Sequence, residues 1–248
     1  MYATGIDFET TGFNPGKDRL IEVGLCEVDL FKKTVMRSSS FLIKPNYESL
    51  MGERIKVDDI GPFIHGLTGI DEEMIRNYGV SLATASQAIR LSLNRTKFFV
   101  AHNKDFEDDW LNIMGIKVEN WIDTQFDLPL PFYVKPRDLV TLCALHRIPL
   151  LRPHRALDDA RSMMELLFEY DINTVIERSK FQKVECIAQV SYQEKDKAYD
   201  KGFYWNRDHK IWFKIIKQCD FESLKDDCDF PVTFRNLKEK KRNENVMA

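Results

Sequence analysis

Cysteine is scarce in this chain, and no two cysteines are spaced as C-x-x-C. Cys26, Cys143, Cys186, Cys219 and Cys228 are scattered and odd in number. That argues against a disulfide framework and a thiolate zinc site, and for a reducing compartment. Long apolar runs are missing, and no stretch approaches the roughly 18 residues that a membrane helix needs. No secretory leader is expected either, because Asp7 interrupts "MYATGIDFE" before an apolar core could form. The expectation is a cytoplasmic chain with no membrane association. Nor is there a large excess of one charge, since the net charge is −3. The charge is uneven all the same: residues 180–248 hold 15 Lys+Arg and 12 Asp+Glu, against 21 and 27 in residues 1–179. An acidic body with a mildly basic end fits acids gathered around metal, and it fits chance equally well. What is present is an ordinary globular composition, 44% hydrophobic and 30% charged. The 248 residues allow one large domain, or a medium domain with an appendage.

Three β-rich segments open the chain, "YATGIDF", "RLIEVGLCEVDL" and "SSSFLIKP", the first two separated by the turn-rich "TTGFNPGKD". Pro45 to Asp71 is irregular, with short helical pieces around "DDIGPFIHGLTGI". "SLATASQAIRLSLNR" reads as a helix capped by Ser81, "KFFVA" as a buried strand, and "DFEDDWLNIMG" as a helix ended by Gly115. "NWIDT" is a brief strand, and "RDLVTLCALHR" and "HRALDDARSMMELLFEYD" are amphipathic helices. Strands followed by alternating helices and strands predict an α/β fold, a mixed β-sheet flanked by helices. The pattern restarts after about residue 178. "VECIAQVSY" reads as a strand, "EKDKAYDKG" as a short helix stopped at Gly202, and "FYWNRDHKIWFKII" as a hairpin turning at Asn206–Lys210. The expected division is residues 1–178, a small C-terminal α+β appendage at 179–235, and a charged, disordered tail at 236–248.

Three places carry acids that could do chemistry. Asp7 and Glu9 stand two apart on a strand, so they share a face while Ile6 and Phe8 take the other. Two such acids on an apolar strand need compensation, which a divalent cation supplies. A solvated strand end is the alternative. In "HRALDDA", His154 precedes a helix and Asp159 follows five residues on. A histidine there can take a proton from water near neutrality, although acids also favour any helix N-terminus. "HNKDFEDDW" packs Asp105, Glu107, Asp108 and Asp109 into five positions, which again suits an ordinary helix start.

"DFETTG", "AHNKDFE" and "HRALDDA", in this order, resemble the three motifs of the DEDDh (DnaQ-like) family of ribonuclease-H-like 3′–5′ exonucleases, to which the epsilon proofreading subunit of bacterial DNA polymerase III is similar. "FIHGLTGIDEEMI" and "WIDT" resemble the intervening family segments, and the likeness covers residues 1 to about 170. It implies a ribonuclease-H-like sheet and two divalent metal ions, Mg²⁺ or Mn²⁺, held by Asp7, Glu9, Glu107 and Asp159, with His154 as general base. Asp158 falls between motif positions. The family places Asp where this chain has Glu107. On a helix, Asp105, Asp108 and Asp109 are turned from position 107 by about 200°, 100° and 200°, so none replaces it. The longer arm implies a working but altered second-metal site, against the alternative of a degenerate one. The resemblance further implies single-stranded DNA or DNA 3′ ends as substrate, and a DNA polymerase or other replication protein as a partner.

Thr10 and Thr11, in the turn after Glu9, are expected beside the terminal nucleotide. His102 and Asn103 are expected to brace the middle helix, with Asn103 kept as a candidate substrate contact. In the appendage, Trp205 and Trp212 stand among Lys201, Arg207, Lys210 and Lys214. Exposed aromatics beside cations would stack the bases of a single strand and feed it to the site, whereas a unit this small also needs aromatics for its core. The competing functions are an exoribonuclease with the same site, since nothing in the sequence reads the 2′-hydroxyl, and a catalytically silent nucleic-acid-binding module.

Overall fold

The computed structural model describes residues 1–44 and 60–237, and they divide into two compact units. The first comprises Met1–Gln125 and Asp138–Ile172. Its strands are β1 (Tyr2–Thr10), β2 (Leu20–Asp29), β3 (Thr34–Leu42), β4 (Phe98–Ala101) and β5 (Trp121–Asp123). Its helices are α1 (Pro62–Thr68), α2 (Glu72–Tyr78), α3 (Leu82–Arg95), α4 (Lys104–Ile113), α5 (Leu139–Leu145) and α6 (Ala156–Phe168). The five strands form one sheet in the order β3-β2-β1-β4-β5. β1 pairs antiparallel with β2 and parallel with β4, so it is central and nearly all of it is buried.

Period-2 alternation sorts β1 between two layers. Ile6 and Phe8 join Val23, Leu25 and Phe99 in a core closed by Ile89 of α3 and by Trp110 and Leu111 of α4. The other face meets α6 at close range. A Cβ on Gly24 would lie 2.2 Å from the backbone carbonyl of Ala156, and one on Gly5 would lie 2.8 Å from Met164 Cγ. Glycine at these positions lets the helix sit directly on the sheet.

β3 starts at Thr34, four residues ahead of "SSSFLIKP", because it pairs with β2 as far as Thr34↔Asp29. Its early residues are exposed, so no burial pattern betrays the strand. Ser81 caps α3 as expected, accepting from Thr84 N at 3.2 Å. Of the irregular stretch, Pro62–Thr68 is helical, and Asp58 and Asp59 lie outside the described residues. So do Lys238 onward, on which the expectation of a disordered tail falls.

The second unit comprises Phe126–Arg137 and the chain from Asn173 onward. A single cut at 178 is therefore not how the chain divides. Phe132 packs against the second unit's own core, Lys214 Nζ donates to the carbonyls of Phe132 and Lys201, and Asp127 pairs with Lys217 at 2.8 Å. "FDLPLPFYVKPR" has no period of its own, which hid this allegiance. The remaining elements are α7 (Ile172–Ser179), β6 (Lys183–Ala188), α8 (Lys195–Asp200), β7 (Tyr204–Asn206), β8 (Ile211–Lys217), α9 (Phe221–Asp227) and β9 (Val232–Asn236). The hairpin β7–β8 and the αL stop at Gly202 match expectation, while α7, α9 and β9 were not anticipated. Among the described residues, no helix is long and apolar enough to cross a membrane.

Candidate active site

The acids gather where β1, β4 and β5 end, the usual place for a site in an open α/β sheet. Asp7 is half-buried and Glu9 is 8% exposed on β1. Across from them, His154 sits in the loop before α6 with a left-handed backbone (φ +63°), and Asp159 lies in the first turn of that helix. A strained φ on a non-glycine residue is stored most often at functional sites. The loop is held by Asp159, whose Oδ2 accepts from His154 N at 3.0 Å. Glu9, His154 and Asp159 each offer a ligand atom within 4.8 Å of the others.

The four clustered acids of "HNKDFEDDW" separate cleanly. Asp105 pairs with Lys104 at 3.2 Å, Asp108 accepts from Trp121 Nε1 at 3.2 Å, and Asp109 is exposed. Glu107 alone turns inward, at 2% exposed, as the helical rotation required. Its Oε2 is buried and accepts no hydrogen bond, and the same holds for Asp159 Oδ1.

The electrostatics follow from this crowding. Burial, and then the carboxylates of Glu107, Glu9, Asp159 and Glu22, hold Asp7 well above the ordinary carboxyl range. Glu107 is raised by burial and by Asp123, Asp105 and Glu9. Burial together with Asp159 and Glu22 pushes Glu9 up to about 8, and burial is the largest cause that raises Asp159 to about 6. Two carboxylate oxygens without donors, in a cluster that resists ionising, make the donor set that a hard divalent cation compensates. Asp7, Glu9, Glu107 and Asp159 fit such an ion.

Two further acids escaped the sequence reading. Glu22 of β2, opposite Glu9 in register, is 1% exposed. It accepts from Arg155 Nε (3.0 Å) and Nη2 (2.8 Å), from Ser40 Oγ (2.7 Å) and from Ala156 N (3.0 Å). Burial would raise its pKa, but these bonds outweigh it and hold the carboxyl below its usual value. Since α6 has no side-chain cap of its own, Glu22 satisfies an N-terminal amide of the helix from a distant strand. Asp123, ending β5, accepts from Asn103 N (3.0 Å) and Gln125 N (3.1 Å) and so fixes the start of α4. Both acids stand within apolar strands, and that was the only available signal.

Asn103 has φ +72° and an exposed side chain that makes no cap bond, and His102 Nδ1 lies 2.9 Å from Thr124 Oγ1. Thr10 Oγ1 donates to Gly12 O at 2.6 Å, and Thr11 Oγ1 accepts from Arg19 N at 2.8 Å, so both hydroxyls hold the turn after Glu9. That turn carries Phe13, 91% exposed, its ring 6.2 Å from that of Phe106. Trp205 and Trp212 belong to the second unit. There their rings lie 5.6 Å apart and tilted by 53°, with Trp212 against the core and Trp205 half-exposed.

Residues 4–167 match the family model described as Exonuclease. The chain belongs to that exonuclease family. A PolC-type DNA polymerase III of Caldanaerobacter subterraneus is 28% identical over 184 residues, 69% of this chain and 12% of that protein. The 3′–5′ exonuclease DinG of Staphylococcus aureus is 26% identical over 231 residues, 88% of this chain and 22% of DinG. The chain thus spans less than a quarter of either relative. The nuclease domain of 3′hExo, a DEDDh family member bound to rAMP, superposes with a TM-score of 0.54 at 18% identity, over 68% of this chain and 90% of that one. Escherichia coli exonuclease I, in a zinc-bound complex with single-stranded DNA, gives 0.58 at 16% identity over 80% and 50%. These structures share the fold. By its family the chain is an exonuclease, a hydrolase, and its mixed sheet with flanking helices is the fold that these structures share. Residues 184–234 of the exonuclease match a model described only as a domain of unknown function.

Proposed function

We propose that this exonuclease removes nucleotides one at a time from the 3′ end of single-stranded DNA, releasing nucleoside monophosphates. Asp7, Glu9, Glu107 and Asp159 would hold two divalent ions, Mg²⁺ or Mn²⁺. The observation that carries this reading is the pair of buried, donor-less carboxylate oxygens on Glu107 and Asp159 within one cluster of raised acids. When bound, such ions supply positive charge to the attacking and departing oxygens of a phosphodiester. The chain's own residues do the rest. His154 takes the proton of the attacking water and passes it to solvent from a loop that Asp159 holds. The Thr10–Thr11 turn and Asn103 line the approach of the terminal nucleotide, and the open face of Phe13 offers its base a stacking surface. Glu107 reaches inward with a longer arm than aspartate would and keeps the site functional.

DNA is favoured over RNA by the DNA polymerase among the relatives, whereas the structural neighbours include one with single-stranded DNA and one with rAMP and do not divide the two. The PolC relative also supports a polymerase or other replication protein as partner. The test is digestion of a 5′-labelled single-stranded DNA, with RNA of the same sequence alongside, in Mg²⁺, in Mn²⁺ and in EDTA, wild type against Asp7→Ala. A metal-dependent ladder shortening from the 3′ end, absent in the variant, is the expected result. A ladder on RNA alone would make the chain an exoribonuclease. No degradation of either polymer would leave a silent nucleic-acid-binding module.

A further inference from the structure

His154 stands close enough to two acids to act as a ligand as well as a base. One ligand atom each from Glu9, His154 and Asp159 lies within 4.8 Å of the other two. All three residues belong to the first unit, Glu9 on β1, His154 in the loop before α6 and Asp159 on that helix. The backbone that carries the imidazole is tied on both sides of it. Asp159 Oδ2 accepts from His154 N at 3.0 Å, and Glu22 binds Arg155 Nη2 at 2.8 Å and Ala156 N at 3.0 Å. The other oxygen of Asp159, Oδ1, is buried and accepts from no donor. Three atoms within 4.8 Å of one another lie no more than about 2.8 Å from a common centre. A contraction of less than about 1 Å therefore brings each to the about 2.0–2.2 Å of a zinc bond.

We propose that Glu9, His154 and Asp159 form a site for a single zinc ion, which displaces the hard ions of the nuclease reading and silences the enzyme. The zinc site stands without that reading, whereas its effect on turnover rests on it. The donor set selects the ion. Mg²⁺ takes oxygen ligands and keeps several waters, so an imidazole adds little for it. Zinc accepts imidazole nitrogen and carboxylate oxygen together, and three protein ligands with an open fourth position are the pattern of its reactive sites. Imidazole ligation and the general affinity order also favour zinc over manganese. Charge points the same way. Two carboxylates and a neutral ring leave the zinc complex uncharged, which suits a place where Glu9 is 8% and Asp159 9% exposed. The silencing follows from the ring nitrogen that faces the acids. While its lone pair is on zinc it cannot take the proton of the attacking water, and Glu9 and Asp159 are withdrawn from the working ions.

The test is zinc binding by the full, metal-stripped chain in competition with a chromophoric zinc chelator, with Mg²⁺ binding followed by calorimetry. The deciding variant is His154→Gly. It removes the ring at a φ of +63° that glycine adopts freely, and its thermal unfolding is measured alongside. Wild type should bind zinc more tightly than Mg²⁺. Losing even a supporting partner of a metal ligand costs about 10–100-fold in affinity, so losing the ligand should cost zinc about 100-fold or more and leave Mg²⁺ within about threefold. In cleavage assays with Mg²⁺, zinc at the concentration that fills the site should stop wild type, and EDTA followed by fresh Mg²⁺ should restore it. Zinc held no more tightly than Mg²⁺ by wild type overturns the proposal. So does a His154→Gly protein whose zinc affinity falls by less than about tenfold, or one that loses Mg²⁺ as much as zinc. Cleavage at full rate with the site filled overturns the silencing. Binding is read without cleavage, so the Asp7→Ala ladder decides the exonuclease reading separately; a chain that binds zinc through His154 but degrades no strand keeps the site and loses the nuclease.

Discussion

Replacing Glu22 by glutamine keeps the shape of the side chain and removes its charge, which isolates what this buried carboxylate does for the loop that carries His154. Glu22 is 1% exposed and accepts from Arg155 at 3.0 and 2.8 Å, from Ser40 at 2.7 Å and from Ala156 N at 3.0 Å. A carboxamide must turn an N–H₂ group toward some of these donors, so at least one bond is lost and one donor meets another. A hydrogen bond to a charged group contributes about 1.5–3 kcal/mol, and stranding one partner of a buried ion pair costs about 3–5 kcal/mol. Arg155 keeps 22% of its side chain in water, which places the net cost near about 2–3 kcal/mol. For a unit of this size that lowers Tm by about 4–10 °C. Because Arg155 and Ala156 directly follow His154, the loosened loop should lower kcat about 100-fold while KM changes little. The pH dependence has a definite sign. The folded-state pKa of Glu22 is depressed below 4.5, so its stabilisation is present above the unfolded value and is lost as pH falls through the folded one. Wild type and variant should therefore converge in stability in acid. Thermal unfolding across pH and single-turnover cleavage of a 5′-labelled strand measure both effects. A Glu22→Gln protein with unchanged Tm and unchanged kcat at pH 7 would refute the reasoning.

Glu107→Asp should remain active, and Glu107→Gln should lose activity by about 100-fold or more while raising the Tm of the metal-free protein near neutral pH, because it removes a carboxyl whose ionisation the fold opposes and the unfolded chain allows; a Gln variant less stable than wild type in EDTA would contradict this. In EDTA, stability should fall as pH rises, since Glu9 is raised from 4.5 to about 8 in the folded state: below 4.5 both states are protonated, and between 4.5 and about 8 only the unfolded state ionises, at about 1.4 kcal/mol per pH unit for one uncoupled group. Mg²⁺ should reverse that loss and release protons on binding, so a calorimetric proton count of zero at pH 7 would oppose the assignment. Gly24→Ala should destabilise by about 2–4 kcal/mol or prevent folding, because its Cβ meets backbone of α6 rather than a movable side chain. Urea unfolding checks it.

Much of the site was legible because its decisive relations are local. Asp7 and Glu9 share a face through the two-residue repeat of a strand, and Glu107 turns inward through the 100° step of a helix. The cap of α3 needed only Ser81 and its neighbours. Other features were hidden for stated reasons. The outer part of β3 is an exposed edge and shows no alternation. Asp123 looks like any acid after a short strand until Asn103 folds onto it.

The sequence by itself determined most of the strand–helix order of the nuclease unit and which acid of "FEDDW" turns inward, since periodicity acts over a few residues, while the five residues proposed for its site came from the resemblance of three motifs. Tertiary structure alone decided that Glu22 clamps the loop of His154, because its partner Arg155 lies 133 residues away. It alone assigned Phe126–Arg137 to the second unit, through the packing of Phe132 and the donors on Lys214. And it alone set Tyr204 of β7 opposite Phe213 of β8, since which strands become neighbours is settled by the burial of the whole sheet and not by any one strand's pattern.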